Sequence, residues 1–348
     1  TLELIRKMPD KDFKSAQSTS LGPGQQTMTL QQALATAMQH LRAGRPTEAA
    51  NVYQLILQSD PTQPVALHLL GVISHQMGRS ETAVDLITKA LANAPDYFAA
   101  HNNLGNVLKE LGNLDEAVAS YRKAVAVKPD YTEAHCNLGT ALQNLGKLDE
   151  AVVSYRKALT IKPDFADANN NLGNILKDQG KLDEAVNCYR KALTSKPDFA
   201  EVHCNLGTVL KRQGKLDEAV ASYRHALAIK SDYSEAYNNL GTALQKQGKL
   251  EEAVVNYYKA LTIQPEFADV HSNLGKALQD LGKLEEAVDS YRKAVAIKPD
   301  FAEAAGSMGS VLLSLGKVEE GLALEQKGFG IISFDIDKGV SIDYGNMK

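Results

Sequence analysis

Within residues 132–165 apolar positions recur at helical spacing in two stretches. Leu138, Leu142 and Leu145 fall three or four residues apart, with Ala134 four before the first, so they share one helical face. After a polar break, Ala151, Val152, Tyr155, Ala158 and Leu159 form a second stripe of the same period. Gly146 stands just past the first stripe, where a C-cap residue takes a positive φ, and Asp149 is placed to cap or charge the start of the second helix. Pro163 ends that helix, and Gly139 beside Leu138 lets the second helix come close.

The same letters return one period on, as Leu172, Gly173, Leu176, Gly180, Ala185, Tyr189, Ala192 and Pro197. The capping glycine recurs every 34 residues, at Gly44, Gly78, Gly112, Gly146, Gly180, Gly214, Gly248, Gly282 and Gly316. The units run 30–63, 64–97, 98–131, 132–165, 166–199, 200–233, 234–267 and 268–301, with a degraded ninth at 302–335. There Gly321, Glu325 and Gly328 replace the packing Ala, Tyr and Ala, and in the first unit Ala37 and His40 are atypical, as end units tend to be. Burying one Leu or Val contributes roughly 1.5–3 kcal/mol, and ordering a whole unit costs about as much as it gains alone. Stacking must therefore supply the core.

In period and register the chain resembles the tetratricopeptide repeat family, from residue 30 to about 330. The resemblance implies an all-α fold, a right-handed superhelix (α-solenoid) of antiparallel helix pairs, with a concave groove lined by each unit's first helix. Residues 1–29, with Ser15, Ser18, Thr19, Ser20 and Gly22-Pro23-Gly24, read as a flexible leader, 30–328 as the superhelix, and 329–348 as a separate segment. In that segment Ile332, Phe334 and Ile336 alternate before Asp337-Lys338-Gly339, then Val340, Ile342 and Tyr344, which reads as a β-hairpin. It is either a cap on the last apolar face or the opening of another domain. The chain starts at Thr1 without a Met, and reads as a fragment or processed product.

Asparagine forms a series along the first helices: Asn103, Asn137, Asn171, Asn205, Asn239 and Asn273. Around it lie Asn102, Asn106, Asn170, Asn174 and Asn238, with Thr140, Thr208 and Thr242, while Lys109, Lys177 and Lys211 flank the same face. The segments HNNLGN at 101–106, NNNLGN at 169–174 and YNNLGT at 237–242 look like the repeat region of protein O-linked N-acetylglucosamine transferases and the related plant SPINDLY proteins. There, a ladder of asparagines holds extended substrate polypeptide, and the resemblance implies the recruiting arm of such a glycosyltransferase. An amide offers donors and an acceptor, so it can satisfy a peptide backbone without reading side chains. Two readings stand open: the series binds extended segments of partner proteins in the groove, or it ties neighbouring helices together.

Other residues narrow the chemistry. Cys136 and Cys204 each follow a histidine, His135 and His203, but equivalent positions two units apart lie roughly 20 Å from one another, too far to share one zinc ion. Cys188 lies on a second helix, and all three read as reduced thiols with no metal. His101, His135, His203 and His271 read as partly buried, hydrogen-bonded packing residues. Acids early in the first helices, Glu133 and Asp167 among them, and the pairs Arg122-Lys123, Arg156-Lys157, Arg190-Lys191 and Arg292-Lys293 read as charge placed for helix dipoles.

A net charge of −4 and a pI near 6.1 give no basic field for nucleic acid or an anionic membrane. No apolar span of membrane length and no P-loop, GxGxxG after a strand, HExxH or GxSxG occurs. The expectation is a cytoplasmic, non-enzymatic scaffold without cofactors, whose partners are other proteins or extended peptides. Lysines at the places of Asn102, Cys136 and Asn170, which a chaperone carboxylate clamp would need, are absent. Stacking of array ends on one another is a further expectation, as self-association.

Overall fold

The structure, a computed structural model, describes residues 28–329, 331–335 and 339–343, with side chains over 28–326. Two compact units divide between Leu172 and Gly173. In the first, α1 (Leu30–Arg42) pairs with α2 (Pro46–Ser59), and α3 (Pro64–Gln76) with α4 (Ser80–Asn93). There too α5 (Phe98–Glu110) pairs with α6 (Leu114–Val127), and α7 (Thr132–Asn144) with α8 (Leu148–Ile161). The division falls within α9 (Ala166–Asp178), and α10 (Leu182–Ser195) follows it. In the second unit α11 (Ala200–Arg212) pairs with α12 (Leu216–Ile229), and α13 (Ser234–Lys246) with α14 (Leu250–Ile263). Then α15 (Ala268–Asp280) pairs with α16 (Leu284–Ile297), and α17 (Ala302–Ser314) with α18 (Val318–Phe329). The fold is all-α in its repeats, as the 34-residue period predicts.

Beyond the last helix, β1 (Ile331–Asp335) and β2 (Gly339–Asp343) pair antiparallel, with Phe334 opposite Val340 and Ile332 opposite Ile342. Ile336, Asp337, Lys338 and Tyr344 of the expected hairpin, and the leader up to Thr27, lie outside the described residues. Thr29, assigned to that leader, is the N-cap of α1: its Oγ1 accepts from the Gln32 backbone N–H, and its own N–H donates to Gln32 Oε1.

Each turn between paired helices closes as the glycine register requires. At the end of α7, Lys147 N–H donates to Leu142 O and Gly146 N–H to Gln143 O, a Schellman arrangement with Gly146 at φ 72°. Asp149 does not cap the next helix. The N-cap of α8 is Lys147 and makes no side-chain cap bond, so Asp149 and Glu150 act within the first turn through charge alone.

Glycine also sets how near the paired helices lie. A Cβ on Gly139 would sit 2.7 Å from Tyr155 Cε1, so the missing side chain is the slot that the ring fills. Tyr121 and Tyr155 in the first unit, and Tyr189, Tyr223 and Tyr257 in the second, are fully buried this way. Where Glu325 replaces the tyrosine, the helices close further, and a Cβ on Gly309 would meet Glu325 N and Gly321 O at 2.7 Å each. Second helices also pack on the next pair's first helix, α2 on α3 and α6 on α7 in one unit, α12 on α13 and α16 on α17 in the other. No pair buries its core alone.

Candidate functional site

The asparagine series lies on the first helices, and the amides of Asn103, Asn137, Asn171, Asn239 and Asn273 are directed to the preceding pair. In the first unit Asn137 Nδ2 donates to Asn102 Oδ1 at 3.0 Å, and Asn103 Nδ2 donates to His68 Nε2 at 2.8 Å. A longer bond of 3.5 Å from Asn102 Nδ2 to Asn103 Oδ1 joins the two. His68 Nδ1–H then donates to Tyr97 OH at 3.0 Å. A relay of side chains thus crosses three helix pairs. Its inner members Asn102, Asn103 and His68 are buried, while Asn137 is half-buried. In the second unit Asn273 Nδ2 donates to Asn238 Oδ1 at 3.0 Å, and Asn239 Nδ2 reaches Cys204 Sγ at 3.9 Å.

One rule covers these contacts: the donor lies 35 residues after its acceptor, one period plus one. Asn171 departs from it. Its rule position holds Cys136, and Asn171 Nδ2 donates instead to Thr140 Oγ1 at 3.4 Å. Asn170 Nδ2 donates to Asn171 Oδ1 at 3.4 Å and is buried. Burial at Asn102, Asn103 and Asn170 removes these three from the surface, against the expectation that they meet a peptide. Asn137, Asn171, Asn205, Asn238, Asn239 and Asn273 remain half-buried.

The second polar register has a structural task too. Tyr121 OH donates to Asn106 Oδ1 and Tyr189 OH to Asn174 Oδ1, each at 2.7 Å. Tyr223 OH donates to Thr208 Oγ1 at 3.2 Å, whereas Tyr155 and Tyr257 have nearer acceptors in Gln143 Oε1 and Gln245 Oε1, each at 3.0 Å, with Thr140 and Thr242 at 3.2 and 3.4 Å. A phenol driven into the core by its ring needs an acceptor, and the first helix provides it 15 or 12 residues earlier. Burial pushes the Tyr155 and Tyr257 phenols up to about 12.

Of the flanking lysines, Lys211 Nζ donates to Asn239 Oδ1 at 3.2 Å, and its pKa is lowered by burial first and by Lys246 next. Lys177 sits 3.8 Å from Asp178, and Lys109 is half-buried beside the Cys136 thiol. Burial raises that thiol to about 12 and the Cys204 thiol to about 11, so both are poor nucleophiles. All three cysteines are free thiols.

The histidines at 101, 135, 203 and 271 share one contact. Each Nε2–H donates to the proline carbonyl six residues before it, from 2.8 Å at Pro95 to 2.9 Å at Pro265, and Asn169 Nδ2 does the same to Pro163 O at 3.0 Å. They lock the loop between pairs onto the following helix. His68, by contrast, was not singled out by the sequence pattern. Its signal is positional, since it lies one period before Asn102. The Arg-Lys pairs do not serve the helix dipole: the four helices that carry them have no basic residue in their last turns, and Arg122 reaches Glu150 of the next pair at 2.7 Å.

These features define a helical-repeat protein whose pairs are tied by amides on one face and ion pairs on the other. Tetratricopeptide repeat models match residues 40–106, 105–146, 142–180, 173–214, 198–266 and 232–300, running without a gap from 40 to 300. The chain belongs to the tetratricopeptide repeat proteins. Comparison with curated proteins finds no match. Among solved structures, the APC/C hetero-tetramer Cut9-Hcn1 has a TM-score of 0.57 at 16% identity, covering 81% of this chain and 56% of that one. Pseudomonas aeruginosa pilF has a TM-score of 0.53 at 22% identity, covering 58% and 92%. YrrB, described as a TPR protein with an unusual peptide-binding site, has a TM-score of 0.48 at 24% identity, covering 57% and 98%. Likeness at these identities shows the fold alone. Among the described residues no helix is long and apolar enough to cross a membrane.

Proposed function

We propose that the chain is a protein-interaction scaffold that holds extended polypeptide segments against the first helices, through the half-buried amides of Asn137, Asn171, Asn205, Asn239 and Asn273. The observation behind this reading is the state of Asn137. One N–H is used on Asn102 Oδ1 at 3.0 Å, which fixes the plane of the amide, and because the residue is only half-buried its carbonyl and second N–H are offered to a backbone. The tie and the peptide contact are therefore compatible: the first orients the group that makes the second. Thr140, Thr208 and Thr242 and Lys109, Lys177 and Lys211 flank these amides.

The test is a random 12-residue peptide display panned on the chain, followed by titration of the selected peptides. Replacing Asn137, Asn171, Asn205 and Asn239 together with Ala removes about four hydrogen bonds, roughly 0.5–1.5 kcal/mol each, so affinity falls at least tenfold. Asn102→Ala removes the group that orients the Asn137 amide but keeps the amide itself, so binding weakens less than in the quadruple variant. Equal binding by the quadruple variant would refute the reading. A second reading, the recruiting arm of an O-linked N-acetylglucosamine transferase-like enzyme, rests on the HNNLGN, NNNLGN and YNNLGT segments. Its test is the coding sequence beyond Lys348, which must encode two α/β nucleotide-sugar-binding halves.

A further inference from the structure

On the second helices an arginine reaches forward 28 residues to a glutamate of the next pair. Arg122 meets Glu150 at 2.7 Å in the first unit, and in the second Arg190 meets Glu218 at 3.2 Å and Arg224 meets Glu252 at 3.5 Å. The next rung is missing. Tyr258 stands where the arginine falls, and Glu286 still stands where its carboxylate partner does. The ion pair that Glu286 makes is with Lys283, the N-cap residue of α16, long at 3.7 Å and more than half exposed on both sides. Such a contact leaves the carboxylate largely to solvent.

Beside this break a crevice of about 640 Å³ is lined by residues of α14, α15 and α16. Leu261, Leu274 and Ile297 supply apolar walls, and Tyr258 is 48% exposed. His271, 7% exposed, also lines it. Because His271 Nε2–H is given to Pro265 O at 2.9 Å, its Nδ1 is a lone-pair acceptor, and that atom has no hydrogen-bond partner. Burial lowers the pKa of this ring, so it sets no positive charge against a cation in the crevice. The charged lining is Glu266, Glu286 and Asp289 against Lys293, with Asp289 already held by Arg292 at 3.0 Å. The balance is negative.

A carboxylate without its rung, an exposed aromatic face, a net negative lining and apolar walls match one side chain better than others. A guanidinium carries its N–H groups in a planar fork that meets a carboxylate on two bonds, stacks on an aromatic ring, and sheds water more readily than an ammonium. We propose that this crevice binds an arginine of a partner polypeptide, which supplies from outside the rung that Tyr258 leaves open, on Glu286 and against the Tyr258 ring. The site centres on Tyr258 and Glu286 of two second helices and stands or falls independently of the asparagine face.

The experiment uses the whole chain with labelled Leu and Ile methyl groups, so that Leu261, Leu274 and Ile297 report on the crevice. The probe is N-acetylarginine N-methylamide, with the lysine analogue at equal ionic strength. Saturable shifts confined to these methyls are expected, with at least fivefold weaker binding of the lysine compound. Glu286→Gln weakens arginine binding about tenfold. Tyr258→Arg rebuilds the internal rung and abolishes it. Both positions are exposed, and unchanged methyl signals elsewhere report that the fold is intact. Shifts that do not saturate, equal binding of the two compounds, or binding that persists in either variant would overturn the proposal.

Discussion

Acid should weaken the first unit through one buried ring. His68 is fully buried, and desolvation lowers its pKa from 6.5 to about 3. The ring's Nε2 accepts from Asn103 Nδ2 at 2.8 Å, so protonation there would set two donors against each other. An unfolded chain binds the proton at pH 6.5 and below, whereas the folded one refuses it until about pH 3. Since the unfolded state holds more protons in this window, stability rises with pH. It is fully present above 6.5 and is lost as pH falls, by about 1.4 kcal/mol per unit. Between pH 6.5 and 4.5 the loss is about 2–3 kcal/mol. Hydrogen exchange of the α3 and α5 amides, corrected for intrinsic chemistry, measures it locally. His68→Gln keeps an acceptor near Asn103 and has no proton to gain, so its slope should be flatter by that amount. If His68→Gln and the parent chain show parallel pH dependences, the assigned role of His68 is wrong.

Four further outcomes follow from the packing. Gly146→Ala should cost about 1–2 kcal/mol from left-handed backbone strain alone, because nothing lies within 4 Å of the added Cβ. Gly139→Ala should cost about 1–3 kcal/mol by overpacking, with Tyr155 only 2.7 Å from the new carbon, and urea titration of both variants checks the two mechanisms. A double-mutant cycle on Asn238 and Asn273 should give a coupling of about 0.5–1.5 kcal/mol, and zero coupling would deny the tie. Finally, Cys136 and Cys204 should resist iodoacetamide at pH 8 in the native state and react once urea exposes them, as read by mass spectrometry of the labelled peptides; fast native labelling would contradict their burial.

The asparagine face shows how far residue pattern carries a site. A series at Asn103, Asn137 and Asn171 is visible at a separation of 34, but the contacts of Asn103 and Asn137 run at 35, to the residue one place earlier in the preceding unit, and Asn171 turns to Thr140. Periodicity reports which positions are equivalent. It does not report which of two adjacent registers meets the next helix, because that depends on the rotation of neighbouring helices about their axes. Asn106, Thr140 and Asn174 likewise look like a polar lining until Tyr121, Tyr155 and Tyr189 are seen to need acceptors. Arg122 and its equivalents look like dipole partners until Glu150 lies within 2.7 Å.

The helix pairs themselves were decided by the chain alone. Apolar spacing at Leu138, Leu142 and Tyr155, a glycine able to hold φ 72° at Gly146 and a proline at Pro163 act over a few residues, and short-range physics is written where it acts. Tertiary structure decided which amides are buried at Asn102, Asn103 and Asn170, which remain half-buried at Asn137 and Asn273, and that His68 must stay neutral. Those outcomes depend on how closely one pair settles against the next, down to the width of a tyrosine ring, a distance set jointly by side chains that lie far apart in sequence.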